Sequence, residues 1–126
     1  MTLNPLSGLW ARTALLWFLG TISFGMYIGF SQQFHLSTSH AHIGLLGWIS
    51  SALFAFLHAI TGGAALGARI HWAAHNSGVV LLAIGMFMTV QYGESGWTPL
   101  IPLGGGIVLL ATLWLATTLW PKLGER

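Results

Sequence analysis

The sequence predicts an all-α fold, specifically an integral membrane protein built as a four-helix bundle. Hydrophobic residues make up 55% of the 126 residues and charged residues only 5%, whereas a soluble domain carries roughly a quarter charged residues. The mean hydropathy is +0.76. Four apolar stretches are each long enough to cross roughly 30 Å of hydrocarbon. They lie at about residues 9–30, 39–60, 70–91 and 99–120 and form one domain.

The distribution of basic residues predicts how the chain crosses the membrane. Four spans place both termini on the same side of the bilayer. The Lys and Arg residues fall near the N-terminus, in the second loop and near the C-terminus, at Arg12, Arg69, Lys122 and Arg126. Cytoplasmic segments carry the excess of Lys and Arg. We therefore expect a multi-pass protein of a bacterial inner membrane, in contact with the lipid bilayer, with both termini in the cytoplasm.

The composition also excludes several kinds of function. The formal net charge is only +2 and the basic residues are dispersed, so nucleic acid is not an expected partner. The chain has no Cys, which excludes thiolate metal sites, iron–sulfur clusters and covalently attached haem. Glu94 and Glu125 are the only acidic residues, so the carboxylate pair of a glycosidase is not expected. Trp10, Trp97 and Trp120, near span ends, are expected to be interfacial anchors.

A His-x-His motif stands near the start of the second span. Histidine is costly in hydrocarbon and is by default a functional-site candidate there. Residues two apart are separated by about 200° around a helix, so His40 and His42 must have different roles. The residues that follow His40 at helical spacing are small and form a stripe along one face, which predicts a close contact with another helix. The stripe comprises Gly44, Gly47, Ser51 and Ala55, and it ends at His58.

The residues that follow His42 at helical spacing are large and apolar and form a wall on a different face of the helix. The wall comprises Leu45, Leu46, Ile49, Leu53 and Phe56. An apolar wall with one nitrogen ligand at its top suits a flat macrocycle whose iron binds the imidazole. We therefore expect His42 to ligate haem iron.

The run from His42 to Trp48, His-Ile-Gly-Leu-Leu-Gly-Trp, resembles the second-helix signature of the catalytic subunit of haem–copper oxidases and nitric oxide reductases. The chain is also similar to small four-helix bacterial membrane proteins of the oxidase subunit I-like type. These carry a His-Ala-His run and a later Ile-His-x-x-x-x-Asn-x-Gly run, which is present here at residues 70–78. A fainter likeness is to styrene oxide isomerase, a four-helix haem b enzyme with His-x-Gly and Asn-x-Gly motifs.

These resemblances imply a haem b cofactor with His42 as an axial ligand of the iron. The residues expected around the cofactor are His40, Leu45, Leu46, Trp48, Ile49 and Asn76. The large oxidase subunit resembles three four-helix arcs about a pseudo-threefold axis, and the isomerase likeness implies haem held between protomers. By analogy we expect a homo-oligomer, with a homotrimer of twelve helices as the first choice and a homodimer as the second.

A second group of polar residues lies early in the third span. His71 and His75 are four residues apart and share a helix face, so they can hold a Cu or Zn ion if His58 or another subunit adds ligands. The alternative is that His71 lies at the membrane interface and donates to a carbonyl or a lipid phosphate. Asn76 can bond across helices or to a ligand.

The reaction stays open at this point. His42 and His75 are expected to differ in height by roughly 10–15 Å, so they are not expected to share one haem within a subunit. The iron then has an open sixth position, or a second histidine from His40 or from a neighbour's His42. The possible functions are electron transfer or oxidoreductase chemistry, an isomerase that uses the iron as a Lewis acid, and a haem-free bundle that is structural or binds Cu or Zn.

Overall fold

The computed structural model describes residues 4–62, 65–94 and 96–124, so Glu125 and Arg126 lie outside the described residues. The described chain is helical and contains four helices long and apolar enough to cross a membrane, which confirms the predicted four-helix fold. The helices are α1 (Pro5–Ser31), α2 (Phe34–Thr61), α3 (Ala65–Tyr92) and α4 (Leu100–Gly124). The first three begin at residues 5, 34 and 65 rather than at the predicted 9, 39 and 70. Hydropathy marks the part of a helix in hydrocarbon, and the helices continue beyond it.

Local sequence explains where the first two helices begin and end. The Asn4 side-chain oxygen accepts a hydrogen bond from the backbone N–H of Ser7 at 2.8 Å. Pro5 occupies the first turn, where its missing N–H costs nothing. α1 stops at Gln32, whose backbone is left-handed with a φ of 58°. α2 stops at Gly62, whose φ of 67° is a conformation that favours glycine.

α2 changes its helix type along its length, which the sequence pattern did not predict. It consists of a 3-10 turn (Phe34–Leu36), an α-helical segment (Ser37–His42), a π-helical segment (Ile43–Ile49) and a second α-helical segment (Ser50–Thr61). At the end of the π segment the backbone N–H of Ser50 donates to the carbonyl of Leu45, five residues earlier. π-Helical segments are rare and frequently occur at functional sites.

Small residues on α2 bring it close to α1. The position that a Cβ would take on Gly47 lies 2.6 Å from the nearest atom of the Trp17 ring. Gly44 lies against Thr21, and Ser51 is fully buried. The predicted stripe of small residues is therefore confirmed as a helix contact.

α3 and α4 pack against each other through a second set of glycines. A Cβ on Gly104 would meet the backbone of Gly78 and of Leu82, whereas a Cβ on Gly106 would have nothing within 4 Å. The first glycine of the run therefore makes the close approach, and the third lies beside open space.

The ends of the described chain lie at the same end of the bundle. Asn4, at the start of α1, donates from its side chain to the carbonyl of His58 near the end of α2, at 2.9 Å. Lys122, in the last turn of α4, lines a cavity together with His58. The opposite end of the bundle carries the contact between His35 and Gln91. Large apolar side chains remain exposed on all four helices, as expected for a multi-pass membrane protein in contact with lipid.

Candidate functional site

His42 lies where the first α-helical segment of α2 meets the π-helical segment, and its side chain is half-buried. Its Nδ1 lies 2.9 Å from the carbonyl oxygen of Thr38, four residues earlier. A carbonyl oxygen only accepts, so Nδ1 must carry the hydrogen and donate it. In the neutral ring the lone pair then belongs to Nε2. Metal-ligating histidines are commonly oriented in this way, and the geometry leaves Nε2 available as a ligand atom.

The face of α2 that continues from His42 is apolar and turned away from the other helices. The exposed fractions are 56% for Leu45, 49% for Ile49, 53% for Leu53 and 57% for Phe56. The predicted apolar wall is thus present on the outside of the bundle. A flat ligand lying on it would be covered on its second side by lipid or by another subunit.

His40 faces away from this wall. Its ring packs against Gly25 of α1, where a Cβ would lie 2.9 Å from the His40 Cε1. Its ring centroid lies 6.1 Å from that of Phe24. The structure therefore separates His40 from His42, as the spacing of the two residues predicts, and it uses His40 between helices.

Leu46 and Trp48 flank the wall without lying on its exposed face. The Trp48 ring packs on Phe18 of α1, with ring centroids 4.0 Å apart. The backbone carbonyl of Leu46 accepts a hydrogen bond from Nε2 of His75 in α3, at 2.9 Å. Both residues connect the π segment to neighbouring helices.

Asn76 joins α3 to α1. Its Oδ1 accepts from the indole N–H of Trp17 at 2.8 Å, and its Nδ2 donates to the carbonyl of Trp72 at 2.9 Å. Asn76 and Trp72 also line two adjoining surface grooves of about 450 and 440 Å³, one on α3 and one between α1 and α3. Neither groove is lined by His42. Asn76 and His42 thus occupy separate surfaces of one subunit.

The rings of His42 and His75 lie at different heights along α2. His42 bonds to the carbonyl of Thr38 and His75 to that of Leu46, and eight residues correspond to about 12 Å at 1.5 Å per residue. The two rings also differ in environment, because His75 is 1% exposed within the bundle and His42 lies at its surface. They are not positioned to share one iron within a subunit.

Three buried histidines form a row inside the bundle. His58 is 2% exposed, His71 is 2% exposed and His75 is 1% exposed. The ring centroids of His58 and His71 are 6.2 Å apart, and those of His71 and His75 are 6.0 Å apart. Apart from the bond of His75 to Leu46, none of the ring nitrogens in this histidine row has a hydrogen-bond partner among the described residues. Each unsatisfied buried polar group costs about 1–3 kcal/mol, so the row calls for a functional explanation.

Trp10 encloses the histidine row, although the sequence analysis expected it to be an interfacial anchor. That expectation is wrong, because Trp10 is fully buried. Its ring centroid lies 5.0 Å from that of His71, 5.6 Å from that of His75 and 6.3 Å from that of His58. Leu6, Trp10 and Ala14, each four residues apart, form the buried face of α1, and no contrast with a polar face marks it in the sequence.

The histidine row does not converge on one point. In the part of the chain that the structure describes, no group of three or more His, Cys, Asp or Glu side chains is arranged to hold a metal ion. The expected Cu or Zn site at His71 and His75 therefore has no support from this geometry. The alternative interfacial position of His71 is also wrong, because the side chain is buried.

Comparison with known proteins identifies no relative: the chain matches no protein-family model, no curated protein and no solved structure. The helices define the class, a multi-pass membrane protein with a four-helix fold. Its function therefore has to be inferred from the residues of the chain itself.

Proposed function

We propose that the protein binds haem b in a bacterial inner membrane and that Nε2 of His42 ligates the iron. The observation that carries this proposal is the hydrogen bond from Nδ1 to the carbonyl of Thr38, which leaves the Nε2 lone pair at the surface of the bundle. The tautomer and orientation are those of a ligating histidine. The resemblance of residues 42–48 to the oxidase signature supports the same assignment.

The exposed wall supplies the apolar contact that a noncovalently bound macrocycle requires. Leu45, Ile49 and Leu53 follow one another along the face of α2 beyond His42, and each is about half exposed. Ligand sites of this kind are lined predominantly by apolar side chains, with few polar groups that fix orientation. His42 would provide the one polar contact, to the iron.

We further propose that the haem lies between subunits of a homotrimer of twelve helices, with a homodimer as the second choice. A haem on His42 is covered on one side only by its own subunit. Asn76 and Trp72 line grooves on a different surface, and these grooves on a neighbouring subunit would form the second wall. Contact between two different surfaces is heterologous, and such contacts form a ring where the rotation between subunits closes, which for a trimer is a third of a full turn.

Within one subunit, no second histidine is positioned to reach a haem iron held by His42, so the sixth coordination position would stay open to a small ligand. When bound, haem b supplies an iron that can take up an electron, bind a small ligand or act as a Lewis acid. All six histidines lie within the described residues. His35 bonds to Gln91 outside the bundle, and His40 packs on α1. The other three, His58, His71 and His75, form the buried histidine row. Redox chemistry on a small ligand is thus favoured over electron transfer alone.

The same open position favours a second candidate, a Lewis-acid enzyme similar to styrene oxide isomerase. In that case a small lipophilic substrate such as an epoxide would enter from the membrane, and its oxygen would face the iron. Addition of an epoxide would shift the Soret band and yield a carbonyl isomer without net oxidation. In the redox alternative the epoxide would be recovered unchanged.

The first experiment is an absorption spectrum of protein purified from cells supplied with iron and a porphyrin precursor. We expect a Soret band, b-type bands after dithionite, and a further shift with carbon monoxide at the open position. His42→Ala is expected to lose the haem, whereas His35→Ala, which alters an exposed histidine at the same end of the bundle, is expected to keep it. A colourless wild-type protein, or haem retained in His42→Ala, would contradict the assignment.

A further inference from the structure

The buried histidine row begins next to a cavity at the end of the bundle that holds the chain ends. The cavity has a volume of about 70 Å³, and its polar lining side chains are His58, Thr118 and Lys122. A cavity needs roughly 10–15 Å³ to hold one water molecule, which in turn needs two to four polar partners. The cavity meets both conditions. Water in the cavity beside Lys122 would therefore lie next to the ring of His58.

The middle of the histidine row is surrounded by aromatic rings. The centroid of His71 lies 4.9 Å from that of Phe54, 5.0 Å from that of Trp10 and 6.0 Å from that of Trp114. An aromatic ring attracts a cation that lies over its face within about 6 Å of its centre. Trp10 and Trp114, whose planes are tilted by 41° and 31° to that of His71, can offset part of the cost of a positive charge there, whereas Phe54 stands edge to face with it.

The inner end of the histidine row is fixed by a hydrogen bond. Nε2 of His75 must donate to the carbonyl of Leu46, since a carbonyl only accepts, and this leaves the lone pair on Nδ1. Nδ1 is buried and has no partner among the described residues. A proton can therefore be accepted at Nδ1 while Nε2 keeps its bond to α2.

We propose that His58, His71 and His75 form a proton path that leads from the membrane surface beside Lys122 to His75. At the mouth, a hydronium ion in the cavity gives a proton to one nitrogen of His58 and becomes water. At each later step an N–H bond of one ring breaks as an N–H bond of the next ring forms. Ring centroids 6.0–6.2 Å apart leave a gap that a small rotation or one bridging water closes. The path ends at His75, which holds the proton as an imidazolium.

Few charged groups face the path. α4 contributes Lys122 at the mouth, and the two neighbouring histidines face each ring within the histidine row. α1 contributes the uncharged Trp10, and α2 contributes Phe54. Glu94, the one acidic residue in the described ranges, lies just beyond α3 at the opposite end of the bundle. Protons are therefore held by the imidazoles themselves, as in the histidine relays of membrane transporters.

The path predicts the order in which the rings exchange hydrogen with water. We would label the histidines with ¹⁵N, place the 126-residue chain in lipid nanodiscs and measure by NMR how fast each ring exchanges protons with water. For His75 the exchange is read at Nδ1, because Nε2 keeps its bond to Leu46. His71→Phe should slow the exchange of His75 by roughly tenfold or more and leave that of His58 unchanged. Thr118→Leu, which fills the cavity at the mouth, should slow all three rings.

A matched control comes from the neighbouring threonine. Thr117 and Thr118 both donate to the carbonyl of Trp114, but Thr117 is exposed and does not line the cavity. Thr117→Leu should leave all three exchange rates unchanged. The proposal is overturned if His75 exchanges equally fast in wild type, His71→Phe and Thr118→Leu. It is also overturned if the wild-type rings exchange no faster than the buried indole N–H of Trp10. Neither readout depends on whether haem is bound.

Discussion

His75 donates from Nε2 to the backbone carbonyl of Leu46 across 2.9 Å, and this bond joins α3 to the π-helical segment of α2. Ser50 bonds to Leu45, five residues back, and the α-helical register that follows bonds four residues back. The change of register skips the carbonyl of Leu46. An unpaired carbonyl in hydrocarbon costs several kcal/mol, so His75 stabilises the return from π-helix to α-helix at Ser50.

Removing this bond should destabilise the fold. His75→Phe keeps a ring of similar shape but leaves the Leu46 carbonyl unpaired, so the free energy of unfolding should fall by about 1–3 kcal/mol. His75→Gln, whose amide can donate, should recover part of the loss. Equilibrium unfolding in mixed micelles measures both, with the exposed His35→Phe as the control. Equal stability of His75→Phe and wild type would show that the bond contributes nothing.

The run of three glycines in α4 provides a paired test of close packing. Gly104→Ala places a Cβ against the backbone of Leu82 and Gly78, which cannot move aside, so we expect a loss of about 1–3 kcal/mol. The Cβ added by Gly106→Ala, in the same run, would have nothing within 4 Å, so this substitution should be neutral or slightly stabilising. Thermal unfolding of the two variants under identical conditions decides the matter. Similar melting temperatures would mean that the α3–α4 contact is looser than described.

The bond between Trp17 and Asn76 can be measured by a double-mutant cycle. Trp17→Phe and Asn76→Ala each remove one partner. The coupling energy between them should be about 0.6 kcal/mol and no more than about 1.7 kcal/mol, the average and the maximum found for hydrogen bonds between membrane helices. Trp17→Phe paired with Thr13→Ala is the control, because Thr13 bonds to Trp72 instead. A coupling energy near zero in the Trp17 and Asn76 cycle would show that this hydrogen bond does not contribute to stability.

The sequence predicts much of this fold because its signals are local. Long apolar stretches mark the four helices, and the small residues that follow His40 mark a contact that Gly47 and Trp17 make. The outward wall beyond His42 follows from the same helical spacing. These features depend only on which residue types recur at which interval along one helix.

The features that the sequence does not predict depend on two helices at once. The Leu46 carbonyl in the π segment is paired by a donor from α3, and no residue pattern within α2 predicts this segment. The burial of Trp10 is hidden because α1 is apolar on every side, so its inner face has no contrasting outer face. The histidine row combines one residue of α2 with two of α3, and their approach is set by helix packing.

The proposed ring of subunits predicts a specific cross-linking pattern. The chain has no native cysteine, and Leu53 and Ala73 are both exposed, one on the wall and one in a groove. Chains carrying both Leu53→Cys and Ala73→Cys should cross-link on oxidation into species of up to three subunits. Chains carrying only one of the two should stay monomeric on a denaturing gel. Efficient dimers from Leu53→Cys alone would indicate a twofold contact between identical faces and would contradict the trimer.

Ligation by His42 is tested most directly by replacing its imidazole from solution. His42→Gly removes the side chain, and free imidazole can then occupy its place above the wall. The account predicts that the variant is purified without haem and regains a b-type spectrum when haem and imidazole are added together, but not with haem alone. Haem binding by His42→Gly in the absence of imidazole, at the level of the wild type, would contradict the account.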